Sequence, residues 1–236
     1  VCRHLGYLGA PVSPAGPLVT APHSLRAQAH APRDMRGGGT VNADGFGLGW
    51  FADDGYPVRY RRPAPLWTDE SLPRLAETVR AGGFVAAVRS GTPGMPVTES
   101  ACAPFADDDW LFSHNGVVRG WPESVAGLAA TLPVADLLGL AAPTDSALVW
   151  ALLRRRLRGG ADPAEAVAEV TGEIARAAPG SRLNLLLVGR EVLVATAWTH
   201  ALSLLSTAGG VFVASEPWDD DPGWRSVADG DLVVAR

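Results

Sequence analysis

The chain carries a cysteine at its second position, Cys2. Residue 1 is valine, which is what a GUG start codon gives when translated literally; the initiator would be methionine, and methionine before so small a residue is readily removed. Removal would leave a thiol and a free α-amine on one residue. Their ordinary pKa values, about 8.5 and about 7.7–8.0, are matched for proton exchange near neutral pH. That is the chemistry of an N-terminal nucleophile with its own base. An incidental cysteine near a terminus is the plainer explanation if Cys2 is taken alone.

Other stretches could complete such a site, and each also has an ordinary explanation. Asn115 and Gly116 interrupt the apolar run Phe112-Ser113-His114-Asn115-Gly116-Val117-Val118, where neither is a favoured strand residue. They make sense as an oxyanion hole, the Asn115 amide and the Gly116 N–H donating to developing charge. An Asn-Gly hairpin turn would use the same pair. Arg89 ends an apolar strand in Val88-Arg89-Ser90-Gly91-Thr92 and could hold a carboxylate bidentately, or form a rim salt bridge. Asp145, in Pro143-Thr144-Asp145-Ser146, could bind the ammonium of an amino acid, although a helix's first turn favours an acid anyway. In Asn42-Ala43-Asp44-Gly45-Phe46-Gly47-Leu48-Gly49-Trp50, glycines alternate along a strand, so a backbone or a ligand can approach one face closely. The spacing lacks the helix entry of a GxGxxG dinucleotide site.

Short strands must position these residues. Gly45–Phe51, a turn at Asp53-Asp54-Gly55 and Pro57–Arg61 read as a hairpin. Gly83–Arg89 and Trp110–Val118 read as buried strands, Leu183–Val188 with Val192–Trp198 as the clearest hairpin, and Val211–Ser215 and Leu232–Ala235 as further strands. Short turns between them favour antiparallel pairing. Helical spacing marks Glu70–Arg80, Asp145–Arg158 capped by Thr144, and a helix from Asp162-Pro163-Ala164-Glu165 to about Ala177. The expected class is α+β. Residues 11–40 form the least regular stretch, expected to be mobile or shaped by ligand.

Composition narrows the function. Hydrophobic residues make up 47% of 236 and charged residues 19%, with net charge −5, as in an ordinary globular protein. No basic stripe suggests nucleic-acid binding. The run Arg154, Arg155, Arg156, Arg158 suits a helix C-terminus. Two cysteines, Cys2 and Cys102, are too few for a disulfide framework or a multi-cysteine zinc site, and Cys102 reads as a small buried residue. No leader and no membrane-length apolar run is evident, so a cytoplasmic protein is expected. His4 sits next but one to Cys2 and invites a Cys-His pairing.

Cys2, NADGFG, VRSGT, HNG and TDS, with the later Ala214-Ser215-Glu216-Pro217, occur in an order that resembles the class II glutamine amidotransferases, specifically their standalone branch. The resemblance runs from residue 2 to about 218. It implies a single domain over 1–236 with the four-layer αββα sandwich of N-terminal-nucleophile hydrolases, two stacked and mostly antiparallel sheets. It also implies Cys2 as nucleophile, Asn115 and Gly116 as the oxyanion hole, Arg89 on the α-carboxylate and Asp145 on the α-ammonium of a γ-glutamyl group. Thr92 would support the carboxylate, Gly45 would line the cleft, and His114 of the HNG motif joins the substrate-binding group. No cofactor or metal is implied, and the partner is a small γ-glutamyl substrate, with no nucleic acid or membrane. Departures are Val88 and Pro93 where many relatives have histidine, and Ala103-Pro104-Phe105 in place of His-Pro-Phe. These variants resemble the amidohydrolases of ergothioneine biosynthesis, which remove glutamate from a γ-glutamyl-cysteinyl-histidine-betaine sulfoxide. The alternatives are a glutaminase subunit feeding ammonia to a separate synthase and, if residue 1 were retained, a non-catalytic interaction module. For the leaving group, Trp67, Trp110 and Trp121 are candidates, since an aromatic face suits a trimethylammonium group; core packing is their ordinary role.

Overall fold

The computed structural model describes residues 2–36, 41–107 and 109–236. Its first strand, β1 (Arg3–Val12), was not expected from the sequence, because two glycines and a polar start blur its alternation. In three dimensions the alternation is plain. Leu5 and Tyr7 pack outward against helices, while Gly6 and Leu8 face the second sheet. A side chain at Gly6 would meet Leu186, so the glycine lets the sheets approach.

The other strands are β2 (Phe46–Phe51), β3 (Pro57–Arg62), β4 (Ala81–Val88), β5 (Phe105–Asp107), β6 (Trp110–Val117), β7 (Arg182–Val188), β8 (Leu193–Thr196), β9 (Ser203–Thr207), β10 (Gly210–Ala214), β11 (Arg225–Ser226) and β12 (Leu232–Ala235). One sheet has the order β11-β9-β10-β1-β4-β2-β3 and the other β12-β8-β7-β6-β5, with every pairing antiparallel. Val85, Leu186, Val188, Leu111 and Val213 fill the space between them. The expected hairpins all form; β5, β9 and β11 are additional.

Helices cover both outer faces. α1 (Leu25–Gln28) and α2 (Leu72–Thr78), with a π-helical turn at Gly16–Thr20, bury Leu18, Leu25, Leu72 and Ala76 against the first sheet. α3 (Ala126–Ala129), α4 (Val134–Leu138), α5 (Asp145–Arg158) and α6 (Pro163–Ala177) lie on the second. These layers make the expected αββα arrangement. α5 and α6 have the predicted bounds because their caps are strong: Thr144 Oγ1 accepts from Ala147 N, and Asp162 Oδ1 from Ala164 N and Glu165 N. α2 is shorter than the spacing predicts. Asp69 Oδ1 accepts from Ser71 N and Leu72 N, delaying the start, and Val79 is extended at its end. The arginine run pairs with carboxylates, including Arg154 with Asp136 and Arg156 with Glu173. Residues 11–36 are held by these short helices; 37–40 lie outside the described residues. Among the described residues no helix is long and apolar enough to cross a membrane.

Candidate active site

Three strand ends meet at one edge of the slot between the sheets. Arg3 pairs with Val88, so extending the register by one residue sets Cys2 opposite Arg89. β2 joins from the other side: Arg89 N–H donates to Gly45 O (2.7 Å) and Asp44 N–H to Arg89 O (3.0 Å). Strand alternation puts Cys2, with His4, and Arg89, with Val85 and Ala87, on the inter-sheet face. Cys2, Arg89, Ser113, His114 and Ser146 line one cavity of about 30 Å³, room for about one water. A separate pocket of about 410 Å³ is lined by Thr92, Met95, Val118, Arg119 and Trp121. The expected removal of residue 1 concerns a position outside the described residues.

Arg89 is the charge that stands out. Its side chain is buried, yet no carboxylate of the described residues lies within ion-pair distance. Its one side-chain hydrogen bond is long, from Nη1 to Asp44 O at 3.4 Å. Burying a cation without an anion is unfavourable. The Cys2 thiol is part-buried, with Ser90 O 3.7 Å from Sγ.

The second sheet supplies the facing groups. Asn115 is buried on the inter-sheet face; Nδ2 donates to Ser215 Oγ (3.3 Å) and Oδ1 has no partner. Gly116 must be glycine, since a Cβ there would lie 1.8 Å from Arg182 O and 2.6 Å from His114 Nε2. His114 points the other way, toward the helices. Nε2 donates to Arg182 O (2.9 Å), which leaves Nδ1 to accept from Ser146 Oγ (3.0 Å). Asp145 Oδ2 accepts from Val118 N–H (2.9 Å) and Oδ1 from Ser146 N–H (2.7 Å), tying the start of α5 to the end of β6. Ser146 Oγ also lies 3.4 Å from Oδ1, so the free lone pair is on Oδ2.

The glycine-alternating strand has a structural explanation. A Cβ on Gly45 would lie 2.3 Å from Cys102 Sγ, and one on Gly47 would lie 2.2 Å from Ala103 O. Its open face is filled by the Cys102–Pro104 segment, through Cys102 Sγ, Ala103 O and the Pro104 ring. Gly45 also has φ +137°, a conformation that favours glycine. Cys102 is fully buried and burial pushes its thiol up to about 11, which makes it inert.

His4 does not reach for Cys2. Its Nδ1 meets Ser113 Oγ at 3.2 Å, and burial, reinforced by His114, His200 and Arg3, pushes its pKa down to about 3. Of the tryptophans, Trp121 is half-buried and lines the 410 Å³ pocket. Trp110 packs on Gly189 at the far end of β6, about 17 Å along the strand from Asn115. Trp67 is edge-on to His30 at 5.6 Å.

Several positioning groups had no signal in spacing. Glu216, buried, pairs with Arg3 (2.6 Å) and His23 (2.6 Å) and accepts from Arg33 N–H and Asp34 N–H. Asn184, directly opposite Asn115, pins the loop after β8 by bonds to Trp198 N, His200 N and His200 O. The segment Ala214–Pro217 was visible only as part of a family pattern. Among the described residues no cluster suited to a metal ion is present.

Comparison with known proteins adds to this geometry. A family model described as "Glutamine amidotransferases class-II" matches residues 23–208. A protein of Mycolicibacterium smegmatis named gamma-glutamyl-hercynylcysteine sulfoxide hydrolase is 43% identical over 238 residues, covering 100% of this chain and 96% of that protein. A Mycobacterium tuberculosis protein of the same name is 42% identical over 235 residues, covering 99% and 92%. Among solved structures, a glutamine aminotransferase class-II domain protein from Silicibacter pomeroyi has TM-score 0.69 at 24% identity, covering 99% of this chain and 94% of that one. The glutamine phosphoribosylpyrophosphate amidotransferase of B. subtilis has TM-score 0.70 at 14% identity, covering 99% and 47%. At these identities the structural likeness bears on the fold.

Proposed function

The chain belongs to the class II glutamine amidotransferase family, and from that premise we propose that it hydrolyses a γ-glutamyl amide through a thioester on Cys2, with γ-glutamyl-hercynylcysteine sulfoxide as the substrate. The observation that carries this is the pairing of a part-buried thiol with an unpaired, buried guanidinium at Arg89 in one cavity. A nucleophile beside a site for an anion suits a substrate whose reacting carbonyl is tethered to a carboxylate.

With residue 1 removed, the Cys2 α-amine takes the thiol proton, and the thiolate attacks the γ-carbonyl carbon. Charge developing on the carbonyl oxygen is met by Asn115 Nδ2 and the Gly116 N–H. Arg89 holds the α-carboxylate with support from Thr92, and Asp145 takes the α-ammonium through the free lone pair on Oδ2. His114 orients the start of α5 through Ser146 and so the Asp145 beside it. Collapse breaks the C–N bond as the α-ammonium returns its proton to the leaving amine. Water then attacks the thioester, the α-amine takes its proton, and glutamate departs as the thiol is restored.

The test follows released glutamate from γ-glutamyl-hercynylcysteine sulfoxide and from glutamine. Turnover of the conjugate with slow turnover of glutamine is expected, and Cys2→Ala should abolish it. Rapid glutamine hydrolysis with no conjugate turnover would instead support an ammonia-supplying glutaminase. Intact-mass measurement tests the free amine: a residue retained before Cys2 in fully active protein overturns the mechanism.

A further inference from the structure

Ser215 is fully buried one residue past β10, where that strand runs beside the start of β1. Its N–H donates to His4 O (2.9 Å), and the His4 N–H donates back to Ser215 Oγ (3.0 Å). The hydroxyl has one proton to give, and His4 O, at 3.2 Å, takes it. Toward the second sheet Oγ can therefore only accept. The atom that meets it there is Asn115 Nδ2, at 3.3 Å.

A side-chain amide has two nearly isosteric orientations, and only its hydrogen bonds choose between them. With Ser215 committed as acceptor, the NH2 end of Asn115 faces it. One amide N–H is used on Ser215 and the second stays available for an oxyanion. In the flipped orientation Oδ1 would face Ser215 Oγ and be met only if the hydroxyl gave up its bond to His4 O, and the NH2 would be turned from the position in which Ser215 fixes it. Among the described side chains, Asn115 Oδ1 has no partner of its own that could hold the amide in place. The Asn115 amide has Ser215 as its one side-chain partner, and Ser215 is bonded through His4 to the strand that begins beside Cys2.

We propose that Ser215 is a positioning residue that sets the orientation of the Asn115 amide, and so ties the oxyanion hole to the nucleophile's strand. This rests on the oxyanion role proposed above for Asn115. Ser215 touches no reacting atom; it acts through Asn115.

The test is a double-mutant cycle on kcat and KM, with γ-glutamyl-hercynylcysteine sulfoxide as the assayed substrate. Asn115→Ala should lower kcat roughly 10²–10³-fold, the loss typical of one oxyanion donor. Ser215→Ala should lower kcat about tenfold or more with KM within about twofold, and adding it to Asn115→Ala should cost no further activity beyond about twofold. Ser215→Cys, similar in size but a weak acceptor, should fall between wild type and Ser215→Ala, and it replaces alanine in the cycle if that protein does not fold. Multiplicative losses in the cycle, an unchanged kcat, or an effect confined to KM would each overturn the proposal. If Asn115→Ala itself keeps full kcat, the oxyanion assignment falls and this one with it. If Asn115→Ala loses kcat but the cycle is multiplicative, only the role of Ser215 falls.

Discussion

Every partner of the buried Glu216 carboxylate is a donor, so replacing it with the isosteric amide has a calculable cost. Oε1 accepts from Arg3 Nη1 (2.6 Å) and Asp34 N–H (3.0 Å); Oε2 accepts from Arg33 N–H (2.9 Å) and meets His23 Nε2 (2.6 Å). In Glu216→Gln one oxygen becomes an NH2. Turned toward Arg3, it would oppose two donors. Turned toward His23, it can donate to Nε2 only with the ring proton carried on Nδ1, and it opposes the Arg33 N–H. The second orientation is expected. It leaves one backbone donor unsatisfied, at about 1–3 kcal/mol. It also removes the anion opposite Arg3, whose side chain is 4% exposed. Losing one partner of a buried pair costs about 3–5 kcal/mol, and the amide oxygen still accepts from Arg3, so a total near 3–4 kcal/mol is expected. For a chain of this length each kcal/mol moves Tm by about 2–4 °C, giving a fall of roughly 10 °C by circular dichroism at pH 7. Arg3→Met combined with Glu216→Gln removes both charges and should recover at least half of the loss. A fall below about 3 °C, or a double variant that loses the sum of the single losses, would refute the electrostatic account.

The remaining predictions concern the site and its histidines. Gly116→Ala forces a Cβ to 1.8 Å from Arg182 O, so β6 and β7 must part locally. It should lower stability by about 1–3 kcal/mol in urea titration and lower kcat by displacing the residue 116 N–H. Arg89→Met removes an unpaired buried cation. The fold should gain about 1 kcal/mol or more, while kcat/KM falls roughly 30-fold or more through loss of a carboxylate partner. His4 and His200 both have pKa values pushed down to about 3, chiefly by burial, with His114 next for His4 and Arg182 next for His200. Both are neutral when folded and bind protons more readily when unfolded. Their contribution is therefore complete above about pH 6.5 and is lost as pH falls toward about 3, at roughly 2 kcal/mol per histidine between pH 7 and pH 5. Urea titrations at the two pH values check this, and His200→Asn should reduce the difference by about half.

Where a local signal and the final geometry agree, the energetics are local. α5 and α6 begin where Thr144 and Asp162 cap them, and neither cap depends on the rest of the fold. The Asn115-Gly116 pair could be recognised because two poor strand formers persist within a strand, a conflict that functional sites tolerate. Arg89 and Asp145 were legible as charges placed at element ends. β1 was not legible, although it is central, because its glycine at position 6 serves contact with Leu186 in the other sheet. The glycine-alternating strand could be read as open to a backbone or to a ligand, and only packing shows that the Cys102–Pro104 segment, side chains included, takes the space.

By itself the sequence determined which groups could react: a thiol at position 2, donors at 115 and 116, a cation at 89 and an acid at 145. Tertiary structure decided how they are oriented. Register sets Cys2 opposite Arg89, Ser215 Oγ accepts from the Asn115 amide, and Glu216 pairs with Arg3 beside Cys2. Residues 2, 89, 115 and 215 are far apart in the chain. Their hydrogen bonds exist only once distant strands have paired and, for Asn115 with Ser215, once the two sheets have closed on each other, so no local pattern of residues encodes them.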